Sequence, residues 1–326
     1  MISQREIPAQ QPTALRWLRS TTLICATACC TVSAAAVDLP VELYGKLNVS
    51  RDEADTGASD WVNNDSRIGL KGEYQTIGGI SVVYQVERGV DPVHGGTHID
   101  TLLSTRNTYV GVKGAAGTFF FGAHDTPFKK SQGKIDLFND TLGDIREILV
   151  GDVRARDSFG YHSPALGALK VQYMHVPSDS NFGASNSLSV AFEQGDLYLA
   201  VAIDSEMRKN ERSVSRTRVY DSVRGTAQYT PGNWSIGAAI QRSEHVNAVG
   251  TDSETGFNLS ASYRAGPFTL KGQYGASDIV AQRAGSLLLG VDWKVASSTR
   301  VFAYYWDYDE SGFDDQAVSL GLEFKF

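Results

Sequence analysis

The chain has 326 residues, of which 42% are apolar and 21% are charged, a composition typical of one large folded domain and not of a disordered chain. The net charge of −7 argues against nucleic acid as a partner. The mean hydropathy of −0.22 excludes a helical membrane protein, and beyond the N-terminal region no apolar run reaches the ~20 residues that a membrane-spanning helix needs. A transmembrane β-barrel passes this filter, because only alternate residues of its strands face lipid.

The N-terminal region has the features of a secretory signal. Arg16 and Arg19 precede a small, apolar stretch over residues 21–32, and the run from Ala34 to Ala36 offers an A-x-A cleavage site. We therefore predict a signal peptide over residues 1–36 and one mature domain over residues 37–326. Because residues 1–36 carry three basic side chains and one acidic side chain, the mature domain would have a net charge of −9. The three cysteines also lie in the predicted signal, which leaves no thiol for disulfides or catalysis: Cys25, Cys29 and Cys30.

From Val41 to Phe326, segments with a two-residue alternation are separated by breaks. At the C-terminus, for example, every second residue from Val318 to Phe326 is apolar, and the residues between them are small or polar. One apolar face at this period predicts half-buried strands. We predict sixteen strands, centred near residues 45, 71, 84, 110, 121, 159, 172, 190, 200, 226, 238, 261, 271, 291, 303 and 322.

The breaks between the predicted strands alternate in length, with seven short turns and eight long loops. A soluble β-sandwich also shows residue alternation, but nothing in that fold requires all short turns to lie at one end. Membrane barrels do place short periplasmic turns at one end and long outer loops at the other. The pattern therefore favours an all-β fold, a transmembrane 16-stranded antiparallel barrel, over a soluble alternative.

Several short motifs occur in a fixed order along the predicted strands. The chain has Leu-Tyr-Gly at residues 43–45, Ser-Arg-Ile-Gly-Leu-Lys-Gly at 66–72, Phe-Phe-Phe-Gly at 119–122, Asp-Thr-Pro-Phe at 125–128 and a terminal Phe326. In order and spacing these motifs resemble the trimeric general porins of the Gram-negative outer membrane, particularly those of β-proteobacteria and Neisseria.

This resemblance implies an outer-membrane, water-filled channel for passive diffusion of ions and small hydrophilic solutes, with no enzyme activity, cofactor or metal. It implies a homotrimer in contact with outer-membrane lipid and lipopolysaccharide. It also implies that the outward face of the last strand acts as an assembly signal, carried by Leu322, Phe324 and Phe326. Two alternatives are a substrate-specific channel for a sugar or peptide and an outer-membrane barrel hydrolase. No catalytic residue is predicted, because no G-x-S-x-G or H-E-x-x-H motif occurs.

The third long loop, Thr126–Arg156, is unusual in length and composition. It has about thirty residues, whereas loops beyond ~15 residues are uncommon unless they are functional. Its apolar side chains would have no use in an outward loop, but a loop folded into the barrel could bury them on the inner wall: Ile135, Leu137, Phe138, Ile145, Ile148 and Leu149. The alternative is an outer loop packed on its neighbours or on another subunit.

Strand parity then predicts which basic residues face the interior. Lys46, Arg67 and Arg156 have a parity opposite to that of their apolar neighbours, whereas Arg106 is ambiguous because Val110 shares its parity. A lipid-facing Arg near the bilayer midplane would cost ~2–4 kcal/mol, so the interior is the better position. In the family that the sequence resembles, matching positions form a basic ladder opposite an acidic third loop. The predicted pore constriction therefore places Lys46, Arg67, Arg106 and Arg156 opposite Asp136, Asp140, Asp144 and Glu147. The alternative is a set of surface charges near the strand ends.

One acidic segment near the C-terminus resembles the start of a calcium-binding loop. Asp307, Asp309 and Gly312 match an EF-hand, but its twelfth position is Val318 and not Glu. We therefore predict no metal site and interpret the segment as an acidic outer loop.

Overall fold

The computed structural model describes residues 40–57, 59–94, 103–210, 217–246 and 253–326. The predicted signal peptide lies outside the described residues. Within the described residues, no helix is both long and apolar enough to cross a membrane.

The described residues form seventeen strands and three short helical turns. The strands are β1 (Glu42–Ala54), β2 (Ser59–Asn63), β3 (Arg67–Gln75), β4 (Ser81–Val90), β5 (Leu103–Gly114), β6 (Gly117–Asp125), β7 (Arg154–His162), β8 (Leu169–Val176), β9 (Ser185–Gln194), β10 (Leu197–Asn210), β11 (Thr217–Tyr229), β12 (Trp234–His245), β13 (Glu254–Ala265), β14 (Phe268–Ser277), β15 (Ala284–Ala296), β16 (Thr299–Glu310) and β17 (Phe313–Lys325). The α-helical turn α1 covers Pro127–Lys130, and 3₁₀ turns cover Ile77–Gly79 and Ile145–Glu147.

The strands form one closed antiparallel barrel. Strand β1 pairs with β2 and β3, each strand from β3 onward pairs with the next, and β17 pairs with β1 from Lys46↔Lys325 to Ala54↔Ala317. Strands β2 and β3 both run along β1, so they count as one barrel strand interrupted at residues 64–66. The predicted sixteen-stranded barrel is thus confirmed. Closure pairs the backbone groups that an open sheet edge would expose to lipid.

The two faces of the barrel wall differ as the alternation predicts. Leu320 and Val201 face outward and are 61% and 58% exposed, whereas the neighbouring inward Ser319 and Ala202 are buried. Aromatic pairs such as Trp234 with Tyr263 lie near the short-turn end, where the polar rim of a membrane accommodates amphipathic rings.

Two bulges interrupt the alternation near the third loop. Between β4 and β5, Arg106 and Asn107 lie opposite the single residue Glu87. Between β6 and β7, the pairs Gly122↔Ser158 and His124↔Ala155 leave Arg156 and Asp157 opposite Ala123. A bulge re-aims the side chains that follow it, so parity alone does not give their direction.

Candidate functional site: the third loop and the inner wall

The third loop, residues 126–153 between β6 and β7, packs against the inner wall of the barrel. Ile135, Phe138, Ile145, Ile148 and Leu149 are each at most 2% exposed. These side chains contact inward-facing residues of β12 to β16, so the loop covers that part of the wall.

Glycines on the wall make room for the loop. A Cβ atom at Gly237 on β12 would lie 2.5 Å from Cγ2 of Ile135, and one at Gly275 on β14 would lie 1.9 Å from Cδ1 of Ile148. A side chain at either position would therefore overlap the loop.

One buried arginine joins the two ends of the loop. The Arg224 guanidinium on β11 lies 4.4 Å from the Phe128 ring centre, and its Nη2 donates a 2.9 Å hydrogen bond to the Val150 carbonyl. Gln241 on β12 accepts a further 2.8 Å hydrogen bond from Arg224 Nε. The loop is thereby anchored at its start and at its end to the same wall.

The Asp144 carboxylate caps the backbone of its own loop. It is 1% exposed and accepts hydrogen bonds from the backbone N–H groups of Asp140, at 2.8 Å, and Arg146, at 3.0 Å. Burial raises the pKa of Asp144 well above its ordinary value, and the neighbouring charge of Asp136 adds to the rise.

The Asp136 carboxylate also caps the loop backbone. It is 8% exposed and accepts hydrogen bonds from the backbone N–H groups of Phe138, at 3.2 Å, and Ile145, at 3.3 Å. Burial raises its pKa. Asp136 and Asp144 therefore cap the backbone of their own loop, and the sequence prediction that they meet the wall bases is corrected.

Glu147 is exposed, and its ion-pair partner among the described residues is Arg146 at 3.8 Å. Arg146 belongs to the same loop, and the contact of Glu147 with the wall bases stays a prediction.

Asp140 is the loop acid that meets the wall bases. Lys46 Nζ lies 2.6 Å from Oδ2 of Asp140, and Arg67 Nη1 lies 3.1 Å from the same oxygen. Burial opposes ionisation of Asp140, but the charges of Lys46 and Arg67 outweigh it and hold its pKa well below the usual range. The loop and the wall are thus in direct contact at this point.

Arg106 points inward because of the bulge on β5. Its parity matches that of Val110, which faces outward, yet Arg106 is 8% exposed. Its Nε donates to Glu87 Oε1 at 2.8 Å, and its Nη1 lies 3.4 Å from Asp65. Sequence reasoning missed both acids. Glu87 could have been found, because it has the inward parity of its strand.

Arg146 on the loop forms further ion pairs with two carboxylates. Its Nη1 lies 3.5 Å from Asp65 and 3.9 Å from Asp152. Burial disfavours its charge, but the surrounding carboxylates outweigh that effect and raise its pKa. A chain of ion pairs with alternating charge therefore runs from the β5 wall over the loop to the β6–β7 wall: Arg106, Asp65, Arg146, Asp152, Lys129, Asp125 and Arg154.

Arg156 does not belong to this group. It is exposed, lies in the bulge beside Asp157, whose φ is 53°, and lines a surface cavity of about 340 Å³ with Asp179 and Phe182. The basic residue that takes the expected position is Arg154, whose Nη2 lies 2.9 Å from Asp125. The prediction for Arg156 is corrected for this reason.

The outward face of the last strand carries the three residues of the predicted assembly signal. Leu322, Phe324 and Phe326 are 42%, 38% and 48% exposed, and the Phe326 N–H donates to the Gly45 carbonyl at 3.1 Å. Within the described residues, no group of three or more His, Cys, Asp or Glu side chains is arranged to hold a metal ion.

Comparison with known proteins gives one family. The family model described as Gram-negative porin matches residues 20–315 of the chain. No curated protein sequence matches it.

Solved structures share the fold. An anion-selective porin from Comamonas acidovorans superposes with a TM-score of 0.74 at 18% identity, covering 88% of this chain and 99% of the porin. OmpF of Salmonella typhi, in complex with daunomycin, gives a TM-score of 0.72 at 16% identity, covering 88% and 98%. The trimer form of OmpT, an outer membrane protein of Vibrio cholerae, gives 0.67 at 18% identity, covering 88% and 99%. With the closed barrel and the match over most of its length, the chain belongs to the Gram-negative porin family and is a porin of the outer membrane, a channel for passive diffusion.

Proposed function

We propose that ions and small hydrophilic solutes pass through the space between the third loop and the inner wall of β1 to β8. The third loop contacts residues of every strand from β9 to β16, as the hydrogen bonds of Ser187, Tyr198 and Gln273 to its backbone illustrate. Apart from ion pairs such as those of Asp140 with Lys46 on β1 and Arg67 on β3, the remaining wall would bound the water-filled path.

Charged groups of the wall and of the loop meet at the edge of this path and form the proposed constriction. The wall provides Lys46, Arg67 and Arg106, and the loop provides Asp140 and Arg146. The Debye length at physiological salt is ~8 Å, so these charges are only partly screened within a narrow pore. They would orient water and polar solutes, and ion selectivity would follow the difference between the basic and acidic contributions. The observation that carries the proposal is the contact of Asp140 with both Lys46 and Arg67, which places charges of both signs at one edge of the open space.

The assembly of the protein is proposed on the same basis. A signal peptide over residues 1–36 would be removed on export, and Leu322, Phe324 and Phe326 would be read by the insertion machinery. We expect a homotrimer, in line with the porin family and with the trimer form of the Vibrio cholerae protein. Lipid and lipopolysaccharide would contact its outward apolar face and its outer loops.

A channel that works by diffusion needs no catalytic group, and we propose that the protein is not an enzyme. Membership of the porin family supports this proposal over an outer-membrane hydrolase. The absence of lipid and peptide hydrolysis by the purified protein is the expected result, and turnover of either substrate would contradict it.

Reversal potentials in a salt gradient test the constriction. Replacing Arg67 by Ser removes a wall cation and should shift the reversal potential toward cation selectivity at low salt, whereas Asp140→Asn should shift it toward anion selectivity. Arg156→Ser is the matched control, because that exposed side chain forms no ion pair with a loop acid among the described residues and should cause a much smaller shift. If Arg67→Ser and Arg156→Ser shifted the potential equally, Arg67 would not line the constriction.

A further inference from the structure

A second group of charges lies on the inner wall at the short-turn end of β14 to β17. Asp292 accepts from Arg300 Nη1 at 2.8 Å and from the Tyr304 hydroxyl at 2.6 Å. Glu323 lies 3.1 Å from Arg300 Nε and 2.9 Å from Lys325 Nζ. Both carboxylates are therefore fully engaged by neighbouring groups of the protein.

Two cations beside these carboxylates have no ion-pair partner among the described residues. Arg264 on β13 and Lys294 on β15 are exposed and have no carboxylate partner among the described residues. Both have the inward parity of their strands, since Ser260 on β13 is buried and Asp292 on β15 contacts inward-facing Tyr304. They line one cavity of about 410 Å³.

The strand register sets the spacing of the two cations. Thr269 on β14 lies opposite both Arg264 and Asp292, so β14 separates the strands that carry the cations. Neighbouring strands are ~4.8 Å apart, which places the backbones of β13 and β15 about 10 Å from each other. Long Arg and Lys side chains can converge on one small ligand across that distance.

The cavity lining suits an anion. Thr269, Ser298 and Thr299 line it with hydroxyl groups that can donate hydrogen bonds. An Arg guanidinium presents paired donors that match two oxygens of a phosphate, and a Lys ammonium adds a compact charge. The two carboxylates of the cavity are held by Arg300 and Lys325, so Arg264 and Lys294 supply charge that a ligand can use.

We propose that Arg264 and Lys294, with the hydroxyl of Thr269, form a binding site for small oxyanions such as phosphate or a phosphate monoester. Because short turns of membrane barrels face the periplasm, the site lies in the periplasmic mouth, on the opposite side of the third loop from the long outer loops. It is separate from the constriction around Asp140. Its role is to hold multivalent anions at the inner exit of the pore.

Calorimetric titration of the detergent-purified full protein with inorganic phosphate at low salt tests the site. The double variant Arg264→Gln/Lys294→Gln should weaken phosphate binding at least tenfold. The matched control is Lys113→Gln/Lys170→Gln, which removes two cations at the same end that already have carboxylate partners, Glu73 at 2.7 Å and Glu193 at 2.9 Å. This control should bind phosphate as the native protein does.

Chloride current through the same proteins provides a second readout. Phosphate should reduce the current through the native channel, and a higher phosphate concentration should be needed for the double variant, while both proteins show the same heat-modifiable folded form. Equal phosphate affinity of the double variant and the control would overturn the proposal, as would the absence of phosphate binding to the native protein.

Discussion

At the scale of single residues, two carboxylates of the third loop have opposite environments. Asp140 contacts Lys46 and Arg67 and has a depressed pKa. Asp144, four residues later, is buried against the loop backbone and has a raised pKa. The resemblance gives both acids of the third loop the same predicted role. Their burial and partners distinguish Asp140, which meets the wall bases, from Asp144, which caps the loop backbone.

Asp144→Ala should loosen the third loop, because it leaves the partly buried N–H groups of Asp140 and Arg146 without their acceptor; an unsatisfied buried group costs ~1–3 kcal/mol. Asp144→Asn retains an acceptor oxygen and should preserve the loop. A carboxyl group whose pKa is higher in the folded than in the unfolded state stabilises the fold most at pH values below its ordinary pKa of ~3.9. This stabilisation is lost as the pH rises through the pKa of the folded state. The native loop should thus become more protease-sensitive as pH rises, and the Asn variant should not show that dependence.

Limited proteolysis at Lys134 and Arg146, followed from acidic to neutral pH, measures this effect. Equal protection of the Ala and Asn variants at every pH would contradict the capping role of Asp144.

At the scale of elements, alternation predicted the barrel strands well and failed where the strands are irregular. The predicted centres of all sixteen strands fall within observed strands, and Lys46 and Arg67 point inward as their parity indicates. Parity was ambiguous at Arg106 and misleading at Arg156, because each lies in a bulge that inserts one residue. A bulge depends on hydrogen bonding between two strands, which the alternation within one strand does not reveal.

The loop contacts were predictable in kind but not in detail. The apolar residues of the loop indicate burial, and five of the six are buried, whereas Leu137 is partly buried. The capping roles of Asp136 and Asp144 depend on the turns of the loop backbone, for which the sequence has no periodic signal. Strand β2, within the first predicted loop, was also missed, since its five residues are too short for a clear alternation.

Gly237→Ala should displace the third loop, because the new Cβ would lie 2.5 Å from Ile135, and overpacking of this kind costs ~1–3 kcal/mol. Displacement should raise single-channel conductance and expose Lys134 to protease. The control is Gly225→Ala on the neighbouring β11, where the nearest atom would be 3.8 Å away.

Combining Gly237→Ala with Ile135→Ala removes the overlapping side chain and should restore protease protection of the loop backbone. A Gly237→Ala channel with native conductance and native protection would show that the loop does not pack on this part of the wall.

At the scale of the whole molecule, the closed barrel and the third loop have different roles. Closure of β17 on β1 satisfies the strand backbones in the membrane. The loop is held by Arg224 to the β11 wall and by Asp140 to Lys46 on β1, and we propose that it narrows the interior.

Single-channel conductance of the purified protein in planar bilayers, measured over a wide range of KCl concentrations, tests the diffusion channel most directly. In a water-filled pore without a specific binding step for these ions, conductance should rise in proportion to the bulk conductivity of the solution, with deviations confined to low salt, where the charges of the constriction are poorly screened. Conductance that saturates at moderate KCl, or no channel activity from the folded protein, would contradict the account.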